Sequence, residues 1–139
     1  MRFVADANVL LAAVLGGRAR LILKHPAVME ILTAEVVFAE VEEYGAQLAR
    51  KKGLSLGTTL LTIASLPVTV IEPNVYAAKI PEALRRIGRR DPDDVDTLAL
   101  ALHFGLPVWS NDNDFEGVGV EWYTTAELLQ KLATSRGTG

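Results

Sequence analysis

The chain has no cysteine. That excludes a disulfide framework and a thiolate metal site, so any metal ion must be held by oxygen or histidine. There are only two histidines, His25 and His103, and neither stands at ligand spacing from the other. Both read as structural residues. No apolar stretch reaches the roughly 18 residues that span a bilayer. The opening Met1–Asp6 is too short for the apolar core of a signal peptide. A soluble cytoplasmic protein with no membrane partner is expected. Positive charge is not in excess: the net charge is −3, against the basic balance usual for nucleic-acid binders. No repeat, low-complexity tract or linker divides the 139 residues, which suit one domain. That domain is expected over residues 1–133, with a flexible tail over 134–139.

What is present is an alternation of short apolar runs and longer helical patterns. Strands are predicted at Arg2–Ala5, Glu30–Leu32, Pro67–Ile71, Pro107–Trp109 and Val118–Trp122. Helices are predicted at Asn8–Leu15, Arg18–Lys24, from Thr33 or Ala34 to about Lys52, Ser55–Ala64, Asn74–Ile87, from Asp91 to about Phe104, and Thr124–Leu132. Gly53 and Gly105 read as helix stops. Strands alternating with helices imply an α/β fold, a central and mainly parallel sheet of about five strands between helical layers. Sites in such sheets lie at the carboxyl ends of the strands.

Acids occur at such ends. Asp6 follows the first strand and Asp112 follows Val108-Trp109-Ser110. In the long helix, Val37, Val41, Tyr44 and Leu48 form a predicted core stripe, and Glu40 lies at its edge, about 60° away. Glu35, Glu42 and Glu43 point further out. In the helix opened by Asp91, Asp94 shares the face of Leu98, Ala101 and Leu102, about 40° from Leu98. Asp91 reads as the helix cap, Pro92 suits the first helical position, and Asp93 opposes the macrodipole. An acid on an apolar face needs a partner, so capping does not account for Asp94. The run Asp112-Asn113-Asp114 is superficially like a calcium loop, but Tyr123 stands where the twelfth-position glutamate would be. Gathered in one fold, these carboxylates would require a cation. Setting Asp6, Glu40, Asp94, Asp112 and Asp114 aside turns the balance of the remaining chain to +2.

Four segments carry a resemblance: Val-Ala-Asp-Ala-Asn-Val-Leu from Val4, Ala-Glu-Val-Val-Phe-Ala-Glu-Val-Glu-Glu from Ala34, Arg-Asp-Pro-Asp-Asp-Val-Asp-Thr-Leu-Ala-Leu-Ala-Leu from Arg90, and Val-Trp-Ser-Asn-Asp-Asn-Asp-Phe from Val108. In this order and spacing they resemble the PIN domain, especially the VapC-like ribonuclease toxins of type II toxin–antitoxin pairs. The resemblance implies a three-layer α/β/α fold and a metal-dependent endoribonuclease. It assigns catalysis to Asp6, Glu40, Asp94 and Asp112, and metal binding to Asp6, Asp94, Asp112 and Asp114. Asp112 and Asp114 can divide that role in either order. Asn8 and Ser110 would orient the carboxylates. Oxygen ligands favour Mg²⁺ or Mn²⁺, and the acids suffice for two ions. Glu40 would hold the attacking water.

RNA contacts are expected from Arg85, Arg86, Arg89 and Arg90, then from Arg18, Arg20 and Lys24, and from Arg50, Lys51 and Lys52. A cognate antitoxin and a homodimer are the implied protein partners. Two other readings compete with this one. One is an inactive PIN-fold module that binds RNA or protein. The other, a phosphotransfer receiver, lacks the acidic pair after its first strand and the late lysine that such domains use.

Overall fold

A computed structural model describes the backbone of residues 1–138 and the side chains of residues 1–134. The expected tail over 134–139 therefore lies at and beyond the described side chains. Five strands, β1 (Arg2–Ala5), β2 (Glu30–Ala34), β3 (Thr69–Ile71), β4 (Val108–Trp109) and β5 (Trp122–Tyr123), form one sheet in the order β3-β2-β1-β4-β5. All four pairings are parallel. The helices are α1 (Ala7–Val14), α2 (Ala19–Leu23), α3 (Glu35–Lys51), α4 (Leu56–Ala64), α5 (Pro73–Tyr76), α6 (Ile80–Ile87), α7 (Val95–Phe104) and α8 (Thr125–Thr138). Among the described residues no helix is long and apolar enough to cross a membrane.

Strand side chains alternate between faces, and here both faces are covered. Phe3, Ala5, Ile31 and Trp109 enter one core with Leu10, Ile22, Val41, Ile63 and Leu128. Val4, Leu32 and Val108 enter the other with Tyr76, Ala83, Ile87, Leu98 and Phe115. This is the expected α/β/α sandwich. Covering both faces explains why the strands read as continuous apolar runs.

Several boundaries move for physical reasons. β2 continues through Thr33, whose hydroxyl donates to the Ala5 carbonyl at 3.0 Å; Ala34 precedes α3 without a side-chain cap. The helix predicted over Asn74–Ile87 breaks into α5, a 3-10 turn at Ala77–Lys79, and α6. Pro81 falls in the first turn of α6 and has no N–H to donate back to the preceding turn, so one continuous helix cannot run through it. The last strand begins at Trp122 rather than Val118. Gly117 and Gly119 have φ of +73° and +88°, a left-handed path that a strand cannot follow.

The core stripe of α3 is also rotated. Val37 and Val41 are buried as expected, but Gly45 and Ala49 continue the buried face, while Tyr44 is 48% exposed. A Cβ at Gly45 would lie 2.7 Å from Ile63 Cδ1, so a small residue is what lets α4 pack closely. Glycine and alanine carry little hydropathy, and a stripe drawn through large apolar residues passes them by.

Candidate metal centre

The strand register brings the first polar residues together. Val4 pairs with Val108 and Ala5 with Trp109, so Asp6 and Ser110 emerge side by side at the carboxyl edge of the sheet. β1 and β4 are neighbours in space but not in sequence, which is where a parallel sheet opens a crevice. The Asp6 N–H donates to the Trp109 carbonyl at 3.1 Å and the Ser110 N–H to that of Tyr123 at 3.1 Å. Asp6 also starts α1, accepting the Ala7 N–H at 2.8 Å.

A polar network fixes these residues. Ser110 is fully buried. Its hydroxyl donates to Asp6 Oδ2 at 3.0 Å and accepts from Asn8 Nδ2 and from the Asp112 N–H, each at 3.0 Å. Asn8 Nδ2 also donates to Asp6 Oδ2 at 3.1 Å, and Asn8 Oδ1 accepts the Asn111 N–H at 3.1 Å. Thr97 in α7 donates to Asp6 Oδ1 at 3.5 Å. Both Asp6 oxygens are thus engaged before any ligand arrives. Asn8 and Ser110 both contact Asp6 directly; Thr97 joins them from α7, and a threonine inside an apolar helix gives no sequence signal until the opposite strand is known.

Beside this network stand four acids. Asp91, Asp94, Asp112 and Asp114 each offer a carboxylate oxygen, and the four oxygens lie within 4.8 Å of one another. A 3-10 turn at Pro92–Asp94 leads into α7 and turns Asp94 inward, to 4% exposure. Another, at Asn113–Phe115, follows Asp112, which caps it by accepting the Asp114 N–H at 2.9 Å. Asp91 caps its own turn as predicted, accepting the Asp93 N–H at 2.9 Å. Yet it is also a member of the cluster, a second role that capping had concealed. Asp6 lies against the cluster, outside the set of four.

The electrostatics favour a cation. Burial, then the charges of Asp6, Asp91, Asp112 and Asp114, push the Asp94 pKa from 3.8 to about 8. Its Oδ2 is the one buried side-chain polar atom among the described residues without a hydrogen-bond partner. An orphaned carboxylate oxygen amid other carboxylates is costly as it stands and is the ligand that a hard divalent cation requires. The donor set therefore fits Mg²⁺ or Mn²⁺. Asp6 is raised by burial, an effect opposed by the Ala7 N–H and the Ser110 hydroxyl. Glu40 is raised by burial and then by Asp93, Asp6, Asp91 and Asp96. It is partly buried on α3 and lies outside the set of four. Asp114 is raised by desolvation, Asp112 and Asp91, with Arg90 opposing.

The remaining residues sort differently. Asp96, which reads as a solvent-facing charge, is half-buried and accepts the Tyr76 hydroxyl at 2.6 Å. Arg86 and Arg90 are engaged with carbonyls of the loop after β4. Arg20 donates to the Ala13 and Val14 carbonyls at the end of α1. Arg85 and Arg89 are exposed. His25 accepts the Ala27 N–H at 3.1 Å, a local structural role.

The sheet order, the acids at its carboxyl edge and the chain order of the motifs belong together as a class. The PIN-domain family model matches residues 4–133, and the chain belongs to that family. No curated protein sequence matches it. Among solved structures it is similar to PAE2754 from Pyrobaculum aerophilum, with 17% identity, 96% of each chain covered and a TM-score of 0.72. It is also similar to VapBC2 from Rickettsia felis, solved bound to a promoter DNA fragment, with 16% identity, 89% of this chain and 98% of that one covered and a TM-score of 0.64. A third is VapC20 from Mycobacterium tuberculosis, described as a Sarcin-Ricin loop cleaving toxin, with 22% identity, 86% and 96% covered and a TM-score of 0.57.

Proposed function

We propose that this chain is a divalent-metal-dependent endoribonuclease and the toxin of a toxin–antitoxin pair. The carrying observation is the buried, partnerless Asp94 Oδ2 inside a group of four aspartates. Asp91, Asp94, Asp112 and Asp114 would hold Mg²⁺ or Mn²⁺, with Asp6 joining as a ligand by exchanging one of its present donors. When bound, the cation supplies a lowered pKa for water and offsets charge at the phosphodiester. Asp6 is held rigidly by Ala7, Asn8 and Ser110, so the carboxylate is pre-aimed. The Ser110 hydroxyl sets Asp112 as well, by accepting the Asp112 backbone N–H. Glu40, whose carboxyl is raised by burial and neighbouring acids, would hold the attacking water and accept its proton. Arg85 and Arg89, both exposed in the stretch that leads into Asp91, would meet the RNA backbone.

The structural neighbours that are toxin–antitoxin complexes support a protein partner. So does an open groove of about 550 Å³ between α2 and α4, flanked by Leu61 at 69% exposure; apolar surface of this kind marks interaction sites. The antitoxin would come from an adjacent short reading frame, and co-purification with its product tests this. A homodimer is read out by light scattering.

The activity is tested by incubating end-labelled RNA with the protein in Mg²⁺ or Mn²⁺. Cleavage should stop on chelation and in Asp94→Asn, whose circular dichroism should match the wild type. Metal-dependent cleavage by Asp94→Asn refutes the assignment. RNA binding without cleavage by the wild type would make the chain a binding module instead.

A further inference from the structure

α6 ends in Arg85-Arg86-Ile87, and Gly88-Arg89-Arg90 carry the chain directly into Asp91. Two of these arginines reach across to the loop between β4 and β5. Arg90 Nη1 donates to the carbonyls of Asp114 at 3.0 Å and Glu116 at 2.6 Å. Arg86 Nη1 donates to the carbonyl of Val118 at 2.9 Å. The three acceptors are alternate residues, so one edge of the loop faces α6. Glu82, one turn earlier, orients Arg86 through a 2.6 Å ion pair. Gly119, at φ +88°, leaves the space that the Arg86 guanidinium fills; a side chain there would collide with it.

These bonds join two halves of the acidic cluster. Asp91 and Asp94 sit on the segment leaving α6, and Asp112 and Asp114 on the loop that the arginines grip. Carboxylates this close repel. Among the described residues, no side-chain hydrogen bond or salt bridge links Asp91 or Asp94 to Asp112 or Asp114. The arginine–carbonyl bonds bridge the halves through main-chain acceptors and occupy no carboxylate oxygen.

We propose that Arg90, supported by Arg86, is a positioning residue that holds Asp112 and Asp114 at ligand distance from Asp91 and Asp94. Its place in a basic run would suggest an RNA contact; its guanidinium is instead committed to the loop. The inference rests on the metal reading above. It also has a distinctive sign. On charge alone, removing a positive group beside the centre should tighten cation binding. Removing a positioning residue should weaken it.

The experiment titrates Mn²⁺ calorimetrically into chelator-stripped wild type, Arg90→Gln, Arg90→Lys and Arg86→Gln, with a thermal melt of each. Loss of a group that orients metal ligands lowers affinity about tenfold or more, and that is expected of Arg90→Gln. Arg90→Lys keeps the charge but lacks the planar fork; it should also bind more weakly, and it serves if Arg90→Gln does not fold. Arg86→Gln should show a smaller loss. Unchanged or tighter Mn²⁺ binding in folded Arg90→Gln or Arg90→Lys overturns the positioning role. If the wild type itself binds no Mn²⁺, the metal reading falls and takes this inference with it; if wild type and variants bind alike, only the inference falls.

Discussion

Asp94→Asn should make the metal-free protein more stable, although it removes a residue central to the proposed chemistry. The buried Asp94 has its pKa raised from 3.8 to about 8. A raised folded-state value means that its contribution to stability is fully present below the unfolded value and is lost as pH rises through the folded one. At neutral pH the unfolded chain ionises Asp94 while the folded chain keeps it mostly protonated. Each pH unit between 3.8 and neutrality costs about 1.4 kcal/mol, a ceiling of about 4 kcal/mol at pH 7. Relaxation of the cluster and entry of water reduce this to about 2 kcal/mol. Asparagine is neutral in both states and avoids the cost. For a chain of this size the gain corresponds to about 6 °C in melting temperature. Bound metal should narrow or invert the order, since a ligand at a hundred times its Kd adds about 2.7 kcal/mol to a wild type that binds it and little to the variant. The assay is a set of circular-dichroism melts in EDTA and in Mn²⁺ at about pH 5, 7 and 8.5. The advantage of Asp94→Asn in EDTA should shrink from pH 7 to pH 5. A variant that melts at or below the wild type in EDTA at pH 7, or an advantage independent of pH, refutes the reasoning.

Three further perturbations test other parts of the structure. Ser110→Ala removes a buried hydroxyl that serves Asp6, Asn8 and Asp112; urea unfolding should show a loss of about 2 kcal/mol, and Mn²⁺ affinity should fall with it. Tyr76→Phe strands the half-buried Asp96 that the hydroxyl now serves, for a cost of about 1–2 kcal/mol by the same measurement; an unchanged midpoint would show that water replaces the hydroxyl. Gly45→Leu forces α3 away from Ile63 and should destabilise by about 1–3 kcal/mol, whereas a neutral result would mean that α4 shifts freely.

The sheet was legible from the sequence because burial on both faces produces continuous apolar runs, and these are visible without knowing what they pack against. Asp94 was legible for a similar reason: an acid on an apolar helical face contradicts its surroundings, whatever the neighbours are. The last strand and the helix over 74–87 depart from the hydrophobic pattern where single residues, Gly117, Gly119 and Pro81, overrule it through backbone geometry alone. The α3 stripe was misplaced because close packing on Gly45 and Ala49 depends on the absence of side chains.

Sequence alone determined the alternation of strands and helices, the acids that close β1 and β4, and the exclusion of thiolate ligands. Those follow from local chemistry and periodicity. Tertiary structure decided the rest. It added Asp91 to the acidic cluster, since a capping carboxylate can face a second site only when the loop after β4 folds beside it. It committed Asp6 to Ser110, Asn8 and Thr97, contacts fixed by parallel register between strands distant in the chain. It turned Arg86 and Arg90 toward backbone carbonyls, a use of charge that composition cannot distinguish from a solvated or RNA-facing one. Each of these depends on which residues from distant segments share a few ångströms of space, and no periodicity in the chain encodes that.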